Sequence, residues 1–152
     1  RRTLQTARPI AARQEPCSII ALPELNEIHA GVCEGLTYEE ARQKMPEVAR
    51  GRAADKYRYV YPGGEGYATM AERVVRGLKK VFYLGNYDEN IMIVGHRAVN
   101  RMILSRFLSR QEEEIPYIYI PQDRYYHIRI DPYKRSFELV PYRRAPASWV
   151  GW

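Results

Sequence analysis

Cysteine is scarce in these 152 residues: Cys17 and Cys33 are the whole complement. A disulfide framework is therefore not expected, and a reducing compartment is the default. Without a C-x-x-C pair, a thiolate metal site is not expected either, and His29 and His127 have no partner at metal-ligand spacing. Both cysteines read as plain buried thiols. No apolar run approaches the roughly 18 residues of a membrane span; the longest candidate, residues 91–95, is strand-sized. Internal repeats and low-complexity stretches are also lacking. The chain does not open on Met and has no signal-peptide core, so it reads as a span cut from something longer. What is present is ordinary for a globular domain, with 45% hydrophobic and 28% charged residues. Twenty-four Lys and Arg against 18 Asp and Glu leave a net charge of +6, which suits an anionic partner without choosing among nucleic acid, lipid headgroup and phosphorylated metabolite.

Residues 3–12 carry small and polar residues at helical spacing, closed by the Pro9 region. Residues 17–22 read as a short buried strand ended by Pro23, followed by a loop over 26–36 with Gly31 and Gly35 as punctuation. Thr37 with Glu40 three residues on forms a capping box, and the helix it opens stops before Pro46. Residues 50–66 are expected to be a second long loop, dense in Lys, Arg and Tyr. Apolar residues at 67, 70, 71, 74, 75, 78, 81 and 82 make a 3.6-residue stripe, predicting a helix over 67–84 with Gly85 as its stop. Residues 91–95 read as a strand covered on both faces. Residues 97–108 are the next helix, with Ala98, Met102 and Phe107 inward. Residues 125–130 alternate, with Tyr126, Ile128 and Ile130 on one face, and can pair with 137–142 across a turn at 131–134. Strands alternating with helices predict an α/β fold with a largely parallel sheet, in which ligands bind beyond the carboxyl ends of the strands.

That rule directs attention to His96, between the 91–95 strand and a helix, where free N–H groups favour an anion. A helix cap or a satisfied core histidine accounts for the same spacing. Glu27 lies in a loop among Leu25, Ile28, Ala30 and Gly31; a carboxyl among apolar groups is raised in pKa and serves as a proton donor. A solvated loop glutamate is the alternative. Arg52, Lys56 and Arg58 interleave with Tyr57, Tyr59 and Tyr61. Guanidinium, ammonium and phenol donors in that mixture suit phosphate. They suit single-stranded nucleic acid equally, and a basic surface loop has the same composition. Trp149 and Trp152 sit in a tail without periodicity.

Several stretches taken together resemble a known family. They are Arg2-Thr3-Leu4-Gln5-Thr6-Ala7; Leu25-Asn26-Glu27-Ile28-His29-Ala30-Gly31-Val32-Cys33-Glu34; Thr37-Tyr38-Glu39-Glu40; Asp55-Lys56-Tyr57-Arg58-Tyr59-Val60-Tyr61-Pro62-Gly63-Gly64-Glu65; and Val94-Gly95-His96. In this order they resemble the histidine phosphatase superfamily, and within it the bisphosphatase domain of 6-phosphofructo-2-kinase/fructose-2,6-bisphosphatase. The resemblance covers residues 1–142, leaving 143–152 as a tail. It implies a three-layer α/β/α sandwich with a mostly parallel sheet, and hydrolysis of the 2-phosphate of fructose 2,6-bisphosphate through a phosphohistidine. By resemblance Arg2 and His96 bind the transferring phosphoryl group, and Glu27 protonates the leaving sugar oxygen. Tyr38, Arg52, Lys56, Tyr67 and Arg101 match residues that hold the 6-phosphate and orient the sugar. Arg97 stands where members usually carry Gln and adds a cation beside the substrate. No metal or other cofactor is implied. A kinase domain in the same full-length polypeptide, a cytoplasmic location and the possibility of a homodimer are; membrane and nucleic-acid partners are not.

The family's nucleophilic histidine lies in an Arg-His-Gly motif ending the first central strand, and no such motif occurs in this sequence. The nucleophile and that strand are thus expected upstream, and the 152 residues alone are expected to be inactive. A non-catalytic pseudophosphatase or ligand-sensing module, and a related sugar-phosphate phosphatase, are the alternative readings.

Overall fold

The computed structural model describes residues 1–14, 16–85, 90–130 and 135–141. Two compact units divide the chain, Arg1–Ile118 and Tyr119–Trp152.

The first unit is helical. α1 (Arg2–Ala11) contains Pro9 instead of ending at it. Proline forfeits its own N–H bond and crowds the carbonyl four residues back, yet one turn from the end the helix still closes, with the Ala12 N–H on Arg8 O at 3.0 Å. α2 (Tyr38–Lys44) starts at the expected capping box: Thr37 Oγ1 accepts the Glu40 N–H and Glu40 Oε2 accepts the Thr37 N–H at 2.8 Å. Thr37→Ala removes one side of this box and is expected to cost about 1 kcal/mol, read as a lower midpoint in denaturant unfolding. α2 stops before Pro46, as expected, but Pro46 is not itself in a loop. It occupies the first turn of another helix, α3 (Pro46–Ala54), where its missing N–H is no loss. The loop expected over 50–66 is shortened accordingly.

α4 (Tyr67–Leu84) and α5 (Arg97–Leu108) match their predicted spans. Their apolar stripes face each other and form the core: Met70, Val74, Val99 and Met102 are fully buried, with Tyr57, Tyr67, Leu78, Ala98, Ile103 and Ile115 around them. Gly77 leaves room on α4 for Leu25, whose Cδ2 would lie 2.7 Å from a Cβ there. Gly85 ends α4 in an extended conformation, φ −89° and ψ 143°, instead of a left-handed one. Among the described residues no helix is long and apolar enough to cross a membrane.

Residues 17–22 and 91–95 do not form the strands expected of them. Neither joins a ladder among the described residues. Ile19 and Ile20 are exposed, and Ile91 and Met92 are exposed where cover on both faces was expected. A short apolar run encodes extended backbone locally; a ladder needs a partner from elsewhere in sequence. Cys17 is exposed with this segment, not buried, whereas Cys33 is buried; both thiols are free.

The second unit is an antiparallel hairpin of β1 (Arg124–Ile130) and β2 (Arg135–Pro141). Its register pairs Tyr126 with Leu139 and Ile128 with Phe137, so the expected pairing is present, but burial does not alternate along β1: Tyr126, His127 and Ile128 are half-buried and Ile130 is exposed. His127 Nδ1 meets Glu138 Oε1 across the hairpin at 2.9 Å. The turn at 131–134, and the tail with its two tryptophans, lie outside the described residues.

Candidate active site

One face of the first unit gathers a loop, a turn and three helices around a cavity of about 170 Å³. α3 contributes Arg52, and the turn after it contributes Lys56. Tyr59 and Tyr61 form one wall, edge to face with ring centroids 5.7 Å apart. The Tyr59 ring lies against Gly51 of α3, in the space a β-carbon would fill, so Gly51 seats that wall. Gly66 and Tyr67 come from the start of α4, and Arg97, Ala98 and Arg101 from the start of α5. Arg97 and Arg101 are four residues apart and share one helix face. Glu27 and Ile28 close the remaining side from the loop before α2.

Four cations thus face one carboxylate. Arg101 is fixed by two bonds: Nε donates to Ile118 O at 2.9 Å and Nη1 to Tyr67 Oη at 3.3 Å. Lys56 Nζ stands 4.4 Å from the centre of the Tyr117 ring, a favourable cation–π contact. Burial, followed by the positive charges of Arg52 and Arg101, pushes the Lys56 ammonium down to about 8. Burial likewise raises the Tyr61 phenol, keeping it a neutral donor. Glu27 Oε1 accepts the N–H of Ile28 at 3.0 Å. Such a site offers an anion guanidinium, ammonium and phenol donors together, with one carboxyl group in reach for proton transfer.

Of the residues singled out in sequence, Glu27, Arg52, Lys56, Tyr67, Arg97 and Arg101 line this cavity. Arg2, Tyr38 and His96 are not among its lining residues. Arg2 is exposed at the start of α1, and Tyr38 is exposed at the start of α2. His96 occupies the N-cap position of α5, directly before Arg97, and makes no side-chain capping bond. The interleaved basic and aromatic stretch is divided by direction. Tyr57 is in the core; Arg58 turns away to Asp55, Glu112 and Glu113. Tyr59 and Tyr61 remain as cavity walls, residues that sequence spacing had grouped with their neighbours. No group of acidic, His and Cys side chains able to hold a metal ion occurs among the described residues.

The loop carrying Glu27 is stitched to the 61–66 stretch. Val32 donates to Pro62 O at 3.0 Å and Glu65 to His29 O at 2.8 Å. Gly31, at φ +54°, stacks directly on Gly64, and a β-carbon on either would strike the other strand's backbone.

Comparison with known proteins adds relatives to this picture. Residues 1–142 match the histidine phosphatase superfamily (branch 1). The 6-phosphofructo-2-kinase/fructose-2,6-bisphosphatase of Gallus gallus is 40% identical over 121 residues, covering 80% of this chain and 24% of that protein. That of Caenorhabditis elegans is 46% identical over 97 residues, covering 64% and 20%. The chain therefore spans about a quarter of the length of the curated relatives it matches. Among solved structures, the alpha-ribazole phosphatase from Shigella flexneri aligns with a TM-score of 0.77 at 22% identity, over 93% of this chain and 69% of that one. Bacillus stearothermophilus YhfR aligns at 0.74 and 22%, over 92% and 68%. These neighbours share the α/β histidine phosphatase fold. With nearly its whole length matched by one family and its fold matched independently, this chain belongs to the histidine phosphatase superfamily.

Proposed function

We propose that this chain is the substrate-binding and proton-donating part of a fructose-2,6-bisphosphatase. The observation that carries the reading is the cavity itself, in which Arg52, Lys56, Arg97 and Arg101 surround a single carboxylate, Glu27. A sugar bisphosphate needs cations for two phosphates and one acid for the leaving oxygen, and bisphosphatase-bearing relatives at 40% identity support that ligand.

In this reading a histidine nitrogen attacks phosphorus at the 2-position. The P–O bond breaks, its electron pair stays on the sugar oxygen, and that oxygen takes the proton of the Glu27 carboxyl. Water then attacks the phosphohistidine; the P–N pair returns to the ring, and the Glu27 carboxylate accepts the water's proton. Arg97 offers donors to the equatorial oxygens as charge builds on them; Arg2 and His96, assigned to the same oxygens by resemblance, lie outside the cavity lining. Lys56, Arg52, Arg101 and Tyr67 hold the 6-phosphate and the sugar. The attacking histidine lies before Arg1, and a kinase domain accompanies it in the full-length polypeptide.

The test is incubation of that polypeptide with fructose 2,6-bisphosphate labelled at the 2-phosphate. Expected are release of labelled phosphate, fructose 6-phosphate as the sugar product, and acid-labile label on the protein. If neither phosphate release nor labelled protein is observed, the reading is overturned. One alternative is a ligand-sensing module without turnover. Its signature is tight bisphosphate binding with no phosphate released.

A further inference from the structure

The loop that brings Glu27 to the cavity has little structure of its own, only 3-10 turns at Pro23–Leu25 and Gly31–Cys33. Two side chains of α4 reach it: Lys80 Nζ donates to the Glu24 carboxylate, and Arg73 takes the backbone. Arg73 Nη1 donates to Glu24 O and to Asn26 O, each at 2.8 Å, and Nη2 reaches Glu27 O at 3.5 Å. The other edge of the guanidinium meets Glu65: Nε on Oε1 at 2.8 Å and Nη2 on Oε2 at 2.6 Å. All five guanidinium N–H directions are thereby used. Glu65 Oε2 also accepts the His29 N–H at 3.1 Å. Arg73, from a helix whose opposite face is in the core, and Glu65, from the stretch just before that helix, thus grip residues 24–29 at both ends.

Neither Arg73 nor Glu65 lines the cavity. We propose that Arg73 and Glu65 are a positioning pair that holds the Glu27 carboxyl at the cavity wall, acting through the loop backbone. The inference rests on the reading of Glu27 as the proton donor. Lysine cannot take Arg73's place, because its ammonium lacks the planar fork that meets three carbonyls on one edge and a carboxylate on the other. Losing that grip displaces the acid without removing a cation from the cavity. A displacement of the order of 1 Å at a reacting group costs roughly 100-fold in rate.

The test uses the full-length polypeptide with Arg73→Lys, Glu27→Gln and the double variant. Arg73→Lys is expected to lower kcat about 10- to 100-fold, with KM and the affinity for inorganic phosphate within about twofold. The double variant is expected to be no slower than Glu27→Gln alone, since the pair acts through that residue. The His29 amide should exchange faster in Arg73→Lys while α4 and α5 amides keep their protection. An unchanged kcat, multiplying effects in the double variant, or phosphate affinity falling in step with kcat each overturns the proposal. If Glu27→Gln has no effect, or the polypeptide releases no phosphate, the functional reading fails on its own account. His29 exchange then decides whether Arg73 holds the loop: acceleration upholds that grip and no change overturns it.

Discussion

Glu27→Gln is expected to slow phosphate release from fructose 2,6-bisphosphate by about 100- to 10,000-fold, the usual range for removing a general acid, while KM stays level or falls. The amide is close in shape to the acid, and its oxygen can still accept the Ile28 N–H that Glu27 Oε1 accepts at 3.0 Å, so the loop keeps its form. What is lost is the proton for the leaving sugar oxygen. The cations Arg52, Lys56, Arg97 and Arg101 that would hold the phosphates are untouched, so KM has no reason to rise. The leaving group provides a second readout. An aryl phosphate whose phenolate departs unaided needs little proton transfer, so its hydrolysis should fall far less than that of the sugar ester. Equal loss with both substrates, or no loss with either, removes Glu27 from the acid role.

What the sequence reveals and what it conceals divide along local and non-local lines. The α4 stripe and the Thr37–Glu40 box depend on residues three and four apart, and both spans are found where expected. The same holds for Arg97 and Arg101, whose spacing puts them on one face of α5 and into one cavity. Residues 17–22 and 91–95 have the apolar content of strands, but a ladder depends on a partner that their own composition cannot specify. Arg58 and Lys56 look alike in sequence. Only the fold brings Glu112 and Glu113 to Arg58 across 54 and 55 residues, leaving Lys56 to the cavity. Arg73 is hidden most completely. It sits between buried Met70 and Val74 as one more charge on an amphipathic helix, and its partners are mainly backbone carbonyls, which leave no mark on residue identity.

Arg101→Met is expected to weaken bisphosphate binding by about 30-fold, corresponding to roughly 2 kcal/mol for loss of one partner of a half-buried charge-assisted contact. Methionine keeps much of the side-chain length but frees Ile118 O and Tyr67 Oη and withdraws one cation from the cavity. The pH dependence separates this variant from simple damage. In the free site burial, then Arg52, then Arg101 hold Lys56 down to about 8. A phosphate dianion stabilises the ammonium, so above that pH binding must take up a proton. Affinity is therefore steady with respect to Lys56 below pH 8 and falls by up to tenfold per unit above it. Without Arg101 the ammonium loses a repelling neighbour and its pKa rises, although burial still keeps it below the ordinary lysine value. The break in affinity should move to higher pH, and the variant's deficit should be smaller at pH 9 than at pH 7. Lys56→Gln should abolish the break in either background. Titration calorimetry across pH 7–10 measures all three. A break that stays near pH 8 in Arg101→Met means that Lys56 does not feel Arg101, and a break surviving in Lys56→Gln means that another group titrates.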